Sequence, residues 1–334
     1  MLKRILYLGY YLKELDRKKF KLFLVKVKQE TEKSTPVIFT DIISSSLKYN
    51  ISILEYFQFH FYKLTKEERE KYAGTGYMYE YQLKMNPKTY RSVLENKLEF
   101  LHIYKNFIHH SYASLTDLEK DPSVAEKILK NKSGKVVLKN SFGQCGNGIE
   151  VVNSSELNIG LLVGRLKKNG NDFVEEFVVQ HTALMQLSPS GLNTVRIVTQ
   201  VNEHGGVDLL AARLRITINS AVDNLAAGNI AAPINLTTGV VEGPGVYSDI
   251  TKPDESLHPV TKIPIVGFEV PHWKETIAMI RQAALTNTNN RSIGWDVAIT
   301  DNGPELIEGN HDWCKLLWQL PVHQGLKADV EKYT

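Results

Sequence analysis

The chain has 334 residues, room for two domains or one large one, with the composition of an ordinary globular protein. Its 40 lysines and arginines against 37 acids leave a net charge of +3, too small to argue for nucleic acid, and no basic run interleaved with aromatics tracks along it. Two cysteines without metal-ligand spacing, Cys145 and Cys314, suit a reducing compartment, and no apolar run nears the ~18 residues of a membrane span.

The opening MLKRILYLGYYLKEL lacks a small-residue cleavage site, which points to the cytoplasm. Residues 1–28 hold nine basic side chains against Glu14 and Asp16, mixed with Leu, Phe and Tyr at helical spacing. Such a segment either lies on an anionic membrane surface, here the inner face, or docks on the next helices with its charges in water. From Thr35 to Pro87 the pattern stays helical, with Leu54, Phe57, Phe61 and Leu64 at spacings of three and four. Gly74-Thr75-Gly76 and Asn86-Pro87 punctuate it. With no βαβ alternation, residues 1–95 read as a helical N-terminal domain whose aromatics form a core.

A new unit begins at Asn96-Lys97, heading the helix NKLEFLHIYKNF. Residues 135–152, KVVLKNSFGQCGNGIEVV, read as strand, glycine-rich loop and strand. No Gly-Lys-Ser/Thr follows the loop and a strand, not a helix, comes after it, so both the Walker and the dinucleotide fingerprints fail. The loop is either an unliganded hairpin or a lid whose amides close over a phosphate, with Lys139 supplying charge. A helix over 159–168 precedes the strand DFVEEFVVQH, where Glu175 and Glu176 interrupt an apolar pattern. Either a polar ligand meets the strand there or it is a bulged edge.

LNTVRIVTQ and LLAARLRIT read as strands joined around Gly205-Gly206. A two-residue loop would pair Arg196 with Arg215 and set Arg213 on the same face. Three such arginines need an anion among them or acids from a neighbouring strand. Residues 223–239 are a Gly/Asn-rich connection into one more strand, 243–271 a long excursion facing substrate, and 273–285 a helix. In IGWDVAITDNGPELIEGN, residues 293–310, alternation marks a hairpin. A two-residue Asn302-Gly303 loop pairs Asp296 with Gly309, whereas a three-residue loop ending in left-handed Gly303 pairs Asp296 with Glu308. Only the second gathers Asp296, Glu308 and Asn310, hard oxygen ligands suited to Mg²⁺.

In order and spacing, Lys97, Lys139 with its loop, the acidic strand, and Asp296 with Glu308-Gly-Asn310 resemble the ATP-grasp superfamily. The phrases LNTVRIVT, DN…GNIAAPIN and IGWDVAIT…LIEGN resemble its sugar-transfer-associated group, linked to bacterial surface polysaccharides. The resemblance implies an α+β fold, two α+β subdomains clasping ATP behind a mainly helical N-terminal domain. Its units would be residues 1–95, 96–172 with the lid, and 173–334 with the metal site. It implies Lys97 and Lys139 on the phosphates and a lid from Ser141 through Gly143 and Gly146 to Gly148. Glu175, Glu176, Phe177 and Val178 would meet adenine, with Gln180 or His181 near the ribose. Asp296, Glu308 and Asn310 would hold Mg²⁺, two ions in such sites. Many relatives carry an arginine two residues before the first metal aspartate; here that residue is Gly294, and Arg196, Arg213 or Arg215 would take its role. The activity implied is ADP-forming ligation of a carboxylate, a hexuronic acid, to an amino acid or other amine. Its rivals are a kinase on a sugar hydroxyl and a non-catalytic ATP-binding module.

Overall fold

The computed structural model describes residues 2–143 and 148–334. Helices α1 (Leu2–Lys13), α2 (Arg17–Thr31), α3 (Thr35–Tyr49), α4 (Ile53–Gln58), α5 (Lys66–Glu70), α6 (Thr75–Met85), α7 (Ser92–Glu95) and α8 (Lys97–Ile103) come first. Their ends are written in the sequence: Asp16 accepts from the amides of Lys18 and Lys19, and Ser52/Glu55 and Thr65/Glu68 form reciprocal capping boxes. The run that reads as one helix through Leu64 is split. His60 turns left-handed at φ 52° and the Thr65 cap starts α5 afresh, yet Phe57 and Phe61 still reach the core. Phe23, Val27, Ile38, Ile42 and Tyr56 join them, as do Ala231, Leu317 and Leu320 from far along the chain, so the helices are packed onto the C-terminal half of the protein.

The first sheet has strands β1 (Tyr112–Ser114), β2 (Lys135–Lys139), β3 (Glu150–Asn153) and β4 (Phe173–Glu176), in the order β1-β4-β2-β3 and antiparallel throughout. Helices α9 (Leu115–Lys120), α10 (Pro122–Leu129) and α11 (Ile159–Asn169) supply Leu118, Ile128, Leu162 and Leu166 against Val136, Leu138 and Val174. Because side chains alternate along a strand, burying Val136 and Leu138 there turns Val137 and Lys139 to the other face. β4 is an interior strand, which removes the bulged edge as the reading of Glu175 and Glu176.

After α12 (Thr182–Leu187), the second sheet has β5 (Val195–Val201), β6 (Val207–Ile216), β7 (Ile230–Ile234), β8 (Ser292–Thr300) and β9 (Gly303–Asn310), in the order β7-β6-β5-β8-β9. Helix α13 (Trp273–Thr286) covers one face, where Ile280 and Ala283 share a core with Ile293, Trp295, Val297 and Ile299. The alternate residues of β8, Gly294 and Asp296 among them, face the other way. Phe100, Leu101 and Tyr104 of α8 also belong to this core. Short helices α14 (Lys315–Gln319) and α15 (Lys327–Glu331) close the chain. Residues 243–271 do not face the inter-sheet cavity: they fold along β7 through bridges such as Ala231 to Val246 and supply none of its lining.

Candidate active site

The β8–β9 hairpin sets Asp296 opposite Glu308, but not by the loop expected. The turn has two residues, Asp301-Asn302, with Thr300 opposite Gly303, whose φ is 123°. Continued unbroken, that register would set Ile307 against Asp296. A bulge intervenes: Val297 pairs with Leu306, Asp296 pairs with Glu308, and Ile307 is the extra residue. Asp296, Glu308 and Asn310 then line one cavity of about 530 Å³ between the sheets. Asn310 donates to Glu308 Oε1 at 3.3 Å and to the Gly294 carbonyl at 3.3 Å.

The arginines depart from expectation. The turn spans Asn202 to Gly206 and a bulge falls between Val198 and Thr199, so Arg196 stands opposite Arg213, not Arg215. Acids hold two of them. Asp296, beside Arg196 on β8, accepts from Arg196 Nε, from Arg196 Nη2 at 2.9 Å and from Arg215 Nη1 at 2.7 Å. Asp223 lies 2.6 Å from Arg215 Nη2. Arg213 donates instead to the carbonyls of Trp318, at 3.1 and 2.6 Å, and Ala212, at 2.8 Å, and burial lowers its pKa to about 10. The three therefore enclose no anion site. Arg213 is a structural residue outside the cavity, Arg196 pairs with Asp296 below the lining, and of the three Arg215 lines the cavity, its Nε buried without a partner among the described residues.

Burial alone would raise the Asp296 carboxyl, but the two guanidiniums hold it well below the usual range. Glu308 goes the other way, pushed up by burial and by the charge of Asp296. It accepts one hydrogen bond from Asn310, which leaves acceptor capacity toward the cavity. Gly294 has a steric reason: a Cβ there would lie 2.5 Å from Trp313 Cβ and 3.3 Å from Arg196 Cδ. Arg196 thus fills the space into which a side chain at position 294 would grow.

Lys97, at the head of α8, and Lys139, at the end of β2, line the same cavity. Lys97 donates to the Gly143 carbonyl, and burial, reinforced by Lys139, lowers its pKa against the pull of Glu308, Glu175 and Asp172. Lys139 is ion-paired with Glu175 on β4. Glu175 in turn lies 3.7 Å from His110 Nε2, an ion-pair distance longer than a hydrogen bond, while His110 Nδ1 is 2.8 Å from Glu305 on β9. Burial alone would lower the His110 pKa, but the two carboxylates lift it to about 9. Burial alone would raise that of Glu175, but Lys139 and His110 bring it down to about 2.

Of the remaining expected residues, Gly143, Phe177 and Val178 line the cavity. Ser141 is an anchor, its amide and hydroxyl donating to Asp172 at 2.7 and 2.5 Å. Gly148, at φ 76°, is not in the lining, and Gly146 lies outside the described residues. Glu176 turns away and accepts from the Ser111 amide at 3.3 Å. Gln180 and His181 are corrections. Gln180 is buried, bonding the Ser188 and Gly191 carbonyls and the Asn193 amide, and His181 Nδ1 accepts from Ala183 N at the start of α12, so both brace the chain outside the cavity.

Asp223, His110 and Glu305 were not expected. Asp223 sits in a stretch that reads as a connection; the one hint was a buried arginine in want of an acid. Among the described residues no three His, Cys, Asp or Glu side chains gather as a metal centre. Two carboxylates and an amide suit instead a hard cation shared with phosphate oxygens.

The family model described as sugar-transfer associated ATP-grasp matches residues 77–334. A search of curated proteins found no match. Among solved structures, the biotin carboxylase domain of 2-oxoglutarate carboxylase from Hydrogenobacter thermophilus, in complex with MgADP, ADP and bicarbonate, is 14% identical, with 70% of this chain and 46% of that one covered and a TM-score of 0.40. The ATP-grasp ligase PsnB with its minimal precursor is 12% identical, with 73% and 62% covered and a TM-score of 0.41. D-alanyl-alanine synthetase A from Vibrio cholerae is 13% identical, with 72% and 66% covered and a TM-score of 0.42. The chain spans less than half the length of the first of these and about two thirds of the last.

Proposed function

Because the chain belongs to the sugar-transfer associated ATP-grasp family, with that α+β fold behind a helical N-terminal region, we propose that it is an ADP-forming carboxylate–amine ligase. Its substrates are ATP, a hexuronic acid and an amino acid or other amine, and its product is an amide of surface polysaccharide such as capsule or O-antigen. One observation carries this reading: a single cavity is lined by two lysines and by two carboxylates with an amide.

Residues 96–172 and 173–334 form the clasp, with 1–95 as the N-terminal domain. Phe177 and Val178 take adenine on their backbone and apolar surface. Lys97 and Lys139 exchange the Gly143 carbonyl and Glu175 for phosphate oxygens, a partner each ammonium favours more. Asp296, Glu308 and Asn310 would hold Mg²⁺, which when bound neutralises phosphate charge and draws electrons from the transferred phosphoryl group. The donor set fits it, since Glu308 keeps free lone pairs and is destabilised as an anion by Asp296, a repulsion that a cation relieves. The substrate carboxylate attacks the γ-phosphorus and ADP leaves; the amine then attacks the acyl phosphate, phosphate departs, and the amine loses its proton. Arg215, with Nε unpartnered, is poised for the oxyanion that develops at the acyl carbon, and Arg196 keeps Asp296 aimed. A panel of uronic acids crossed with amines tests this: ADP release should require one of each. Release with the sugar alone would favour the kinase, and nucleotide binding without release under any pairing would favour a binding module.

A further inference from the structure

Helix α1 is amphipathic in an inverted sense. Lys3, Arg4, Tyr7 and Tyr11 are turned to the protein: Arg4 Nη1 donates to the Leu47 and Lys48 carbonyls at 2.9 and 2.5 Å, at the C-terminal end of α3. Tyr7 donates to Glu80 at 3.0 Å, Lys3 pairs with Glu80 at 2.8 Å, and the Tyr11 hydroxyl meets Asn50. The opposite arc, one continuous stripe at helical spacing, is Leu2, Ile5, Leu6, Gly9, Tyr10, Leu12 and Lys13. Each of its five large side chains is exposed by half or more, from Ile5 and Leu12 at 52% and 51% to Leu2 at 73%. Three residues later α2 begins, with Leu22 and Val25 exposed among exposed Arg17, Lys18, Lys21 and Lys28.

We infer that the outward face of α1, with the basic face of α2, is a docking surface for an anionic lipid bilayer. A stripe of large apolar side chains facing water is costly unless something covers it, and the charge around this one selects the cover. A second copy of the chain would bring Lys13, Arg17, Lys18 and Lys21 against their own equivalents, a like-charge contact. A bilayer with anionic headgroups answers both features. Leu2, Ile5, Leu6 and Leu12 enter the headgroup boundary, Tyr10 sits at its polar edge, and Lys13 lays its stem along the apolar stripe with its ammonium at the phosphates. The sequence alone offered charge as the reason; the structure adds that Lys3 and Arg4 are engaged by the protein and that the apolar stripe is free. The inference does not depend on the ligase reading, because none of these residues lines the cavity.

Flotation of the full chain with vesicles tests it. Binding to phosphatidylcholine vesicles containing about a quarter phosphatidylglycerol should exceed binding to pure phosphatidylcholine by at least roughly tenfold, and should be released by high salt. Ile5→Glu with Leu6→Glu, and separately Lys18→Glu with Lys21→Glu, should each lower binding about tenfold while melting temperature and ATP turnover stay at the wild-type values. Equal binding to neutral and anionic vesicles would overturn the proposal, as would wild-type binding by the Ile5→Glu, Leu6→Glu variant. So would a dimer in sedimentation equilibrium that this variant dissolves, which would assign the face to a second copy.

Discussion

Asp296 and Glu308 share one face of one hairpin, but their neighbours impose opposite conditions. Asp296 is the counter-ion of two buried arginines, so Asp296→Asn leaves Arg196 and part of Arg215 uncompensated. Removing one partner of a buried pair typically costs about 3–5 kcal/mol, and this variant should melt many degrees lower in a thermal scan. For Glu308, burial and the charge of Asp296 outweigh the pull of Arg196 and Arg215, so its carboxylate is raised in energy. Glu308→Gln should therefore melt at or above wild type, while ADP release falls on the order of a hundredfold to a thousandfold, the usual loss on removing one preorganised electrostatic contact. A Glu308→Gln enzyme with near wild-type turnover would remove Glu308 from the site. At Gly294 the constraint is steric: Gly294→Ala drives a methyl against Trp313 Cβ and should cost about 1–3 kcal/mol in chemical unfolding.

At the scale of elements, one chain of charges, Lys139–Glu175–His110–Glu305, ties the first sheet to β9 of the second. Its pH dependence has a definite sign. His110 has its folded pKa raised to about 9 from an ordinary 6.5, so its stabilisation is complete below about pH 6.5 and is lost as pH rises through 9. Glu175, depressed to about 2, contributes above about pH 4.5 and loses its contribution as pH falls through 2. Unfolding free energies from urea titrations between pH 5 and 10 should decline on the alkaline side by on the order of 2 kcal/mol, and His110→Gln should flatten that limb. Strand patterns made the elements legible: alternation in 293–300 marked which residues face the core, and Asn96 before Lys97 marked the start of α8. Registers were less legible, because a bulge leaves no trace in alternation read over four or five residues. Ile307 looks like any apolar strand residue, yet it is the extra residue past which Glu308 comes to stand opposite Asp296; deleting it closes the bulge and should leave Glu308 on the same face with the sheet retained. The Arg196–Arg213 pairing was missed for the same reason, since Leu210 at the β5–β6 bulge is as apolar as its neighbours. Asp223 and His110 were beyond local pattern altogether, set by contacts with residues far along the chain.

At the scale of the whole molecule, the cavity lies between two sheets, one covered by α9–α11 and the other by α13, and Phe173 of β4 ties the first sheet into the core of the second. Lys139, Asp296, Glu308 and Asn310 could be singled out because they lie in or at the ends of strands, and Lys97 because Asn96 caps a helix before it; nothing local in the sequence signals that Gln180 and His181 are committed to bracing the chain around α12. The central claim is that the cavity activates a carboxylate as an acyl phosphate, and hydroxylamine tests it most directly. With ATP, Mg²⁺ and the acceptor uronic acid, hydroxylamine in place of the amine should give a hydroxamate together with ADP and phosphate, and Glu308→Gln should give almost none. ADP formed without hydroxamate, its phosphate retained on the sugar as a hydroxylamine-resistant ester, would contradict the claim and make the protein a kinase.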